Sequence, residues 1–129
     1  MLPILIFGGT MGSFNTAPTP HQTILGQAAI NYEVDRKSQE LLAHIESVDP
    51  RFRYADWYVG IAKDPDRRLF SDHNVDRNGF PKHISATSEK VAREIEKHLL
   101  DYGLSGGSGG GDSQTRSVYI YRRTSTTQP

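Results

Sequence analysis

The chain predicts a single α/β (α+β) domain, a small mixed β-sheet flanked by helices. Three observations lead there. From Thr87 to Tyr102, the residues Val91, Ala92, Ile95, Leu99 and Tyr102 fall on one arc of a helix. Tyr54 to Ala62 (YADWYVGIA) is aromatic and β-branched and stops at a turn, as a strand does. Ser117 to Arg122 (SVYIYR) alternates like a half-buried strand. With 129 residues the chain can bury one modest core, not two.

The elements follow in order. Residues 1–33 read as an N-terminal arm or linker of uncertain structure. Residues 2–7 (LPILIF) suggest a short strand, and Gly8 to Gln22 is rich in Gly, Thr, Ser and Pro. Helical spacing starts near Val34, with Asp35 as the N-cap and Leu41, Leu42, Ile45 and Val48 on one face. Asp49-Pro50 ends it, because the residue before proline is pushed out of helical geometry. Asp64-Pro65 opens a short helix to about His73, since Asp caps and Pro suits the first helical position. Asn74 to Lys82 reads as loop and His83 to Ser85 as a brief strand. Gly103 closes the long helix, and a glycine-rich loop, Ser105 to Asp112, leads to the last strand. The domain therefore spans 34–123, and 124–129 reads as a frayed tail.

Composition narrows the function. The formal net charge is zero, which argues against a strong non-specific grip on nucleic acid. No cysteine is present, so disulfides, thiol nucleophiles and Cys-based zinc sites are excluded. The five histidines show no close pair at metal spacing. The apolar start, Met1 to Phe7, is far shorter than the ~20 residues of a membrane span. A cytoplasmic protein with no membrane association is expected.

The chemistry concentrates after the first strand. Tyr58-x-Gly60 ends that strand, Lys63 follows, and the short helix carries Arg67, Arg68 and His73. Glu96 lies on the long helix, about 40° outside the apolar arc at ~100° per residue, where it can lie along the sheet. A phenol can relay a proton, a guanidinium can clamp phosphate oxygens, and a carboxylate can hold a divalent ion. The plainer reading pairs Arg67 and Arg68 with Asp66 or Asp72 on the surface, and leaves Glu96 solvated.

This run resembles the core of the GIY-YIG nuclease superfamily. Tyr58 and Gly60 match the Tyr-x-Gly, Arg68 the essential arginine, and Glu96 the glutamate on the following helix. The resemblance implies a metal-dependent nuclease-like domain that hydrolyses DNA phosphodiesters. Its expected roles are Tyr58 as activating or positioning hydroxyl, Arg68 as phosphate clamp and His73 as helper. Glu96 would be the ligand of Mg²⁺ (or Mn²⁺), with Gly60, Lys63 and Arg67 on the substrate. The chain departs from the family in two places, of which the first is that the position of the first Gly-Ile-Tyr strand falls on Ser47, at the end of an expected helix. Tyr119 and Tyr121 of the last strand would supply the missing tyrosine if that strand pairs beside Tyr58, in a permuted arrangement. His73, five residues after Arg68, falls off the arginine's helical face. The alternative is a catalytically lapsed domain that binds nucleic acid or a protein. The layout also resembles small bacterial proteins with a Tyr-x-Gly strand, an Ala-x-x-x-Glu helix, a glycine loop ending in Asp and a Val-Tyr-x-Tyr strand. There Asp112 is a further candidate ligand.

Overall fold

The computed structural model describes residues 20–107 and 114–129, with side chains from residue 26 onward. The expected strand at 2–7, most of the glycine-rich loop and Asp112 lie outside the described residues.

Helix α1 runs from Pro20 to Val48 and so starts well before Val34. The arm expected over 1–33 is helical from residue 20, and Asp35 is an exposed interior residue rather than a cap. Between Gly26 and Tyr32 only Ile30 touches the core, and Tyr32 is 69% exposed. A helical stretch with no buried face leaves no apolar periodicity to read. Further along, Leu41, Leu42 and Ile45 turn inward and are fully or nearly buried.

Strand β1 is Trp57–Ala62, shorter than the expected span because Tyr54–Asp56 forms a 3₁₀ turn. The Tyr54 ring packs between Phe52 and Tyr102, at centroid distances of 5.1 and 5.6 Å, instead of entering the sheet. The Trp57 indole N–H donates to buried Asp49 at 3.2 Å, which ties the end of α1 to the start of β1. Strand β2 (Lys82–Ser85), helix α2 (Glu89–Tyr102) and strand β3 (Ser117–Arg122) follow. Ser88 caps α2 by accepting from the Val91 N–H at 3.1 Å, and Gly103 takes φ 122° at its end, a conformation that favours glycine.

The sheet order is β1-β3-β2, and both pairings are antiparallel. The expectation of a mixed sheet is met only by an isolated parallel bridge between Tyr58 and Ser105 at the outer edge of β1. The last strand in sequence is thus the middle strand in space. Alternation along the strands divides the sheet into two faces. Trp57, Val59, Ile61, Ile84, Val118 and Ile120 face the core shared with α1 and α2. Tyr58, Ala62, Tyr119 and Tyr121 face the other way, against Leu69 and Val75.

Two ties outside the sheet set its surroundings. Glu33 on α1 accepts from the Thr87 N–H at 3.0 Å, the Thr87 hydroxyl at 2.6 Å and Lys37 at 2.7 Å. Burial raises the Glu33 pKa, but the Lys37 and Thr87 bonds outweigh it and leave it lowered. A lowered pKa stabilises the fold above the unfolded carboxylate range and ceases to do so as pH falls through the folded value. Glu33→Gln is therefore expected to cost about 1 kcal/mol at pH 7 and little in acid, read from urea unfolding at both pH values. The second tie is Thr124–Pro129, expected as a frayed tail. It turns at Thr124–Thr127 and bonds back to the loop after β1: Gln128 N–H donates to the His73 carbonyl at 2.8 Å, and Asn74 donates to the Thr126 carbonyl at 3.0 Å. Asn74 accommodates this return with φ 55°, a left-handed geometry that asparagine tolerates.

Candidate functional site

The site begins with the register of β1 on β3. Tyr58 lies opposite Tyr121, and Gly60 lies opposite Tyr119. Cross-strand neighbours on one face touch, so the expected pairing of the last strand beside Tyr58 is realised. The Tyr58 and Tyr121 rings stack with centroids 5.2 Å apart. Gly60 leaves room for the Tyr119 phenol: a Cβ at Gly60 would sit 2.3 Å from the Tyr119 hydroxyl oxygen and 2.4 Å from Cζ.

The chain after β1 covers this face with a π-helical turn, Arg67–Asp72. Asp64 accepts from the Arg67 N–H at 3.1 Å, as a capping residue does. The His73 N–H donates to the Arg68 carbonyl at 2.8 Å, a bond spanning five residues. Such i→i+5 bonding widens the turn; it is rare in proteins and frequently occurs at functional sites. It also overturns the expectation that Arg68 and His73 diverge, because both reach the Tyr119 hydroxyl.

That hydroxyl is the hub. It lies 2.7 Å from His73 Nε2. The Arg68 guanidinium lies against it, and this interaction is the main reason that the Arg68 pKa is raised. His73 Nδ1 is 2.6 Å from the Gln128 carbonyl and 3.2 Å from the Tyr121 hydroxyl. A carbonyl only accepts, so Nδ1 carries a hydrogen. Burial, reinforced by Arg68, lowers the His73 pKa against the opposing pull of the Gln128 carbonyl and Asp72. A neutral ring with its hydrogen on Nδ1 has its lone pair on Nε2, and the Tyr119 O–H donates to it. Tyr58 completes the cluster, its ring centroid 5.0 Å from that of His73.

Arg68 links this cluster to a cavity of about 320 Å³ lined by Lys63, Asp64, Arg67, Arg68, Asp72 and Thr115 beside Ile61 and Ala62. Three cations face two carboxylates there. Arg68 donates to Asp72 at 3.1 Å, the surface pairing that its sequence neighbours suggested, while its buried Nε has no hydrogen-bond partner among the described residues. The sequence reading placed Lys63, Arg67 and Arg68 here. It missed Thr115, which carries no motif signal. Asp64 and Asp72 were visible only as a cap and an ion-pair partner.

Glu96 is 3% exposed, and its Oε2 is buried without a hydrogen-bond partner among the described residues. Burial raises its pKa, only partly opposed by Arg93. It sits near enough to Tyr119 for its charge to raise the phenol's pKa, although burial is the larger cause and Arg68 opposes both. Burial likewise raises Tyr121 strongly. Glu96 does not line the cavity. Among the described residues, no three His, Asp or Glu side chains converge as a metal site, and no helix is long and apolar enough to cross a membrane.

No family model, curated protein or solved structure matches the chain.

Proposed function

We propose that this face is a phosphodiester-cleaving site of GIY-YIG type acting on DNA, in permuted form, with β3 supplying the tyrosine that the chain lacks ahead of Tyr58. One observation carries the reading: the Tyr119 hydroxyl lies 2.7 Å from His73 Nε2 and against Arg68, and Arg68 also lines a cation-rich cavity. A proton acceptor and a phosphate clamp thereby share one phenol.

In this mechanism Lys63 and Arg67 draw a DNA phosphate into the cavity, and Arg68 clamps its oxygens as charge develops. Tyr58, the least buried of the three phenols, positions the attacking water. Tyr119 takes the proton from that water as it passes its own to His73 Nε2; the water oxygen bonds to phosphorus while the P–O bond to the leaving sugar oxygen breaks, and the proton held on His73 returns through Tyr119 to that oxygen. The relay spares the buried phenol from ever standing as a free phenolate. Tyr121 stacks on Tyr58 and holds its ring in place. Glu96 would be the residue to hold Mg²⁺ or Mn²⁺, because a buried carboxylate oxygen with no partner among the described residues is the kind of atom a hard cation satisfies. When bound, the ion supplies Lewis-acid stabilisation of the phosphate.

A second reading, binding without cleavage, is favoured by burial. Tyr119 is 1% and Glu96 3% exposed, which leaves the cavity cations as the groups a ligand meets first. Plasmid nicking with Mg²⁺ or Mn²⁺ separates the two. Under the first reading the wild type nicks DNA, and Arg68→Ala and Glu96→Ala each lose at least about tenfold in rate. Salt-dependent DNA binding with no nicking supports the second, and no interaction with DNA removes both.

A further inference from the structure

We propose that the backbone of Gln128 is a positioning element for the site, fixing the His73 tautomer so that the Tyr119 proton can move in one direction only. The inference deepens the nuclease reading and rests on it for its catalytic consequence, but not for its structural content.

An imidazole offers two nitrogens, and only its hydrogen-bond partners decide which is protonated. At His73 Nε2 the partner is a hydroxyl, which can donate or accept. The Tyr121 hydroxyl near Nδ1 is equally ambivalent. The Gln128 carbonyl, 2.6 Å from Nδ1, is the one partner that cannot donate. It therefore holds the hydrogen on Nδ1 and frees the Nε2 lone pair for Tyr119. With that carbonyl gone, the Nε2–H form would donate to Tyr119 instead, and the hydroxyl would have no acceptor for its proton.

The carbonyl is held firmly. The Gln128 N–H donates to the carbonyl of His73 itself at 2.8 Å, so residue 128 grips both the backbone and the ring of residue 73. Behind it, Thr127 N–H donates to the Thr124 carbonyl at 3.3 Å, and the Thr127 hydroxyl accepts from Thr124 N–H at 2.9 Å. The groups facing the His73 ring are Tyr58, Tyr119, Tyr121, Arg68 and Asp72. None of these places an obligate acceptor at Nδ1 by a described hydrogen bond.

The test is the ¹⁵N spectrum of the His73 ring in three proteins: wild type, Gln128→Ala and a chain ending at Arg123. Both contacts are backbone contacts, so Gln128→Ala keeps the wild-type pattern, with Nδ1 protonated. The shortened chain shows a mixture of tautomers. If it does not fold, Gln128→Pro in the full chain, which removes the N–H grip, is read in its place. Nδ1 protonated to the same extent in every variant overturns the inference, as does Nε2 protonated in the wild type. Where the wild type nicks DNA, the shortened chain loses at least about tenfold in kcat with KM little changed, as expected for a group that binds no substrate. A wild type that never nicks removes the nuclease reading alone, because the tautomer spectrum still decides the positioning role.

Discussion

Gly60→Ala is expected to lower stability by about 1–3 kcal/mol, a substantial share of what holds a small domain together. The new methyl would overlap the Tyr119 phenol at three atoms, the hydroxyl oxygen at 2.3 Å, Cζ at 2.4 Å and Cε1 at 2.9 Å. Tyr119 cannot swing aside cheaply. Its ring is buried, its hydroxyl is hydrogen-bonded to His73 and lies against Arg68, and its backbone is the centre of the sheet. A double-mutant cycle isolates the cause. In a Tyr119→Leu background the colliding ring atoms are gone, so the alanine increment should fall to a few tenths of a kcal/mol. An increment as large as in the wild type would place the glycine requirement elsewhere. Because the same collision displaces the phenol from His73, Gly60→Ala should also lose any nicking activity before it loses its fold.

Glu96→Gln is expected to act in the opposite direction, stabilising the protein by roughly 1–2 kcal/mol at pH 7. The carboxylate is buried, and one oxygen has no partner, so the charged form is penalised and the pKa is raised. The sign follows from linkage. The folded state keeps the Glu96 proton over a range where the unfolded chain has released it. Stability is therefore greatest below the unfolded value and declines as pH rises through the folded one. The gain from glutamine should accordingly vanish in acid below the ordinary carboxylate range and reach its full size above the raised value. Urea unfolding across that range reads it directly, and equal curves for the two proteins would show that Glu96 bears no cost. The same pair tests the ion: millimolar Mg²⁺ should raise the wild-type melting temperature and leave Glu96→Gln where it was. A residue that costs stability when empty and is satisfied by a cation fits a ligand better than a packing group.

Much of this architecture was legible before any coordinates. Helix α2 was readable because Val91, Ala92, Ile95 and Leu99 repeat at helical spacing and are buried, whereas Tyr102 of the same expected arc is 47% exposed at the helix end and Glu96 is buried beside them. Both long strands were readable because alternation and β-branching coincide in them. Between Gly26 and Tyr32, α1 was not readable, since only Ile30 there packs against the core and one apolar contact makes no periodic pattern. Glu96 could be singled out by its angle on the helix, but not the extent of its burial. Angle is a property of one element, whereas burial depends on what packs over it.

What the sequence determined by itself is therefore local: which segments are helical or extended, where Asp64 and Gly103 begin and end them, and which residue types are able to handle a phosphate. The tertiary structure decided which of those residues meet. Antiparallel pairing set Tyr119 against Gly60, the π-helical turn brought Arg68 and His73 to one hydroxyl, and residue 128 came back to seat the imidazole. Each of these contacts joins groups far apart along the chain or depends on a turn geometry that short-range spacing does not encode. Proximity in the fold is set by the closing of the core, and spacing along one element carries no record of it.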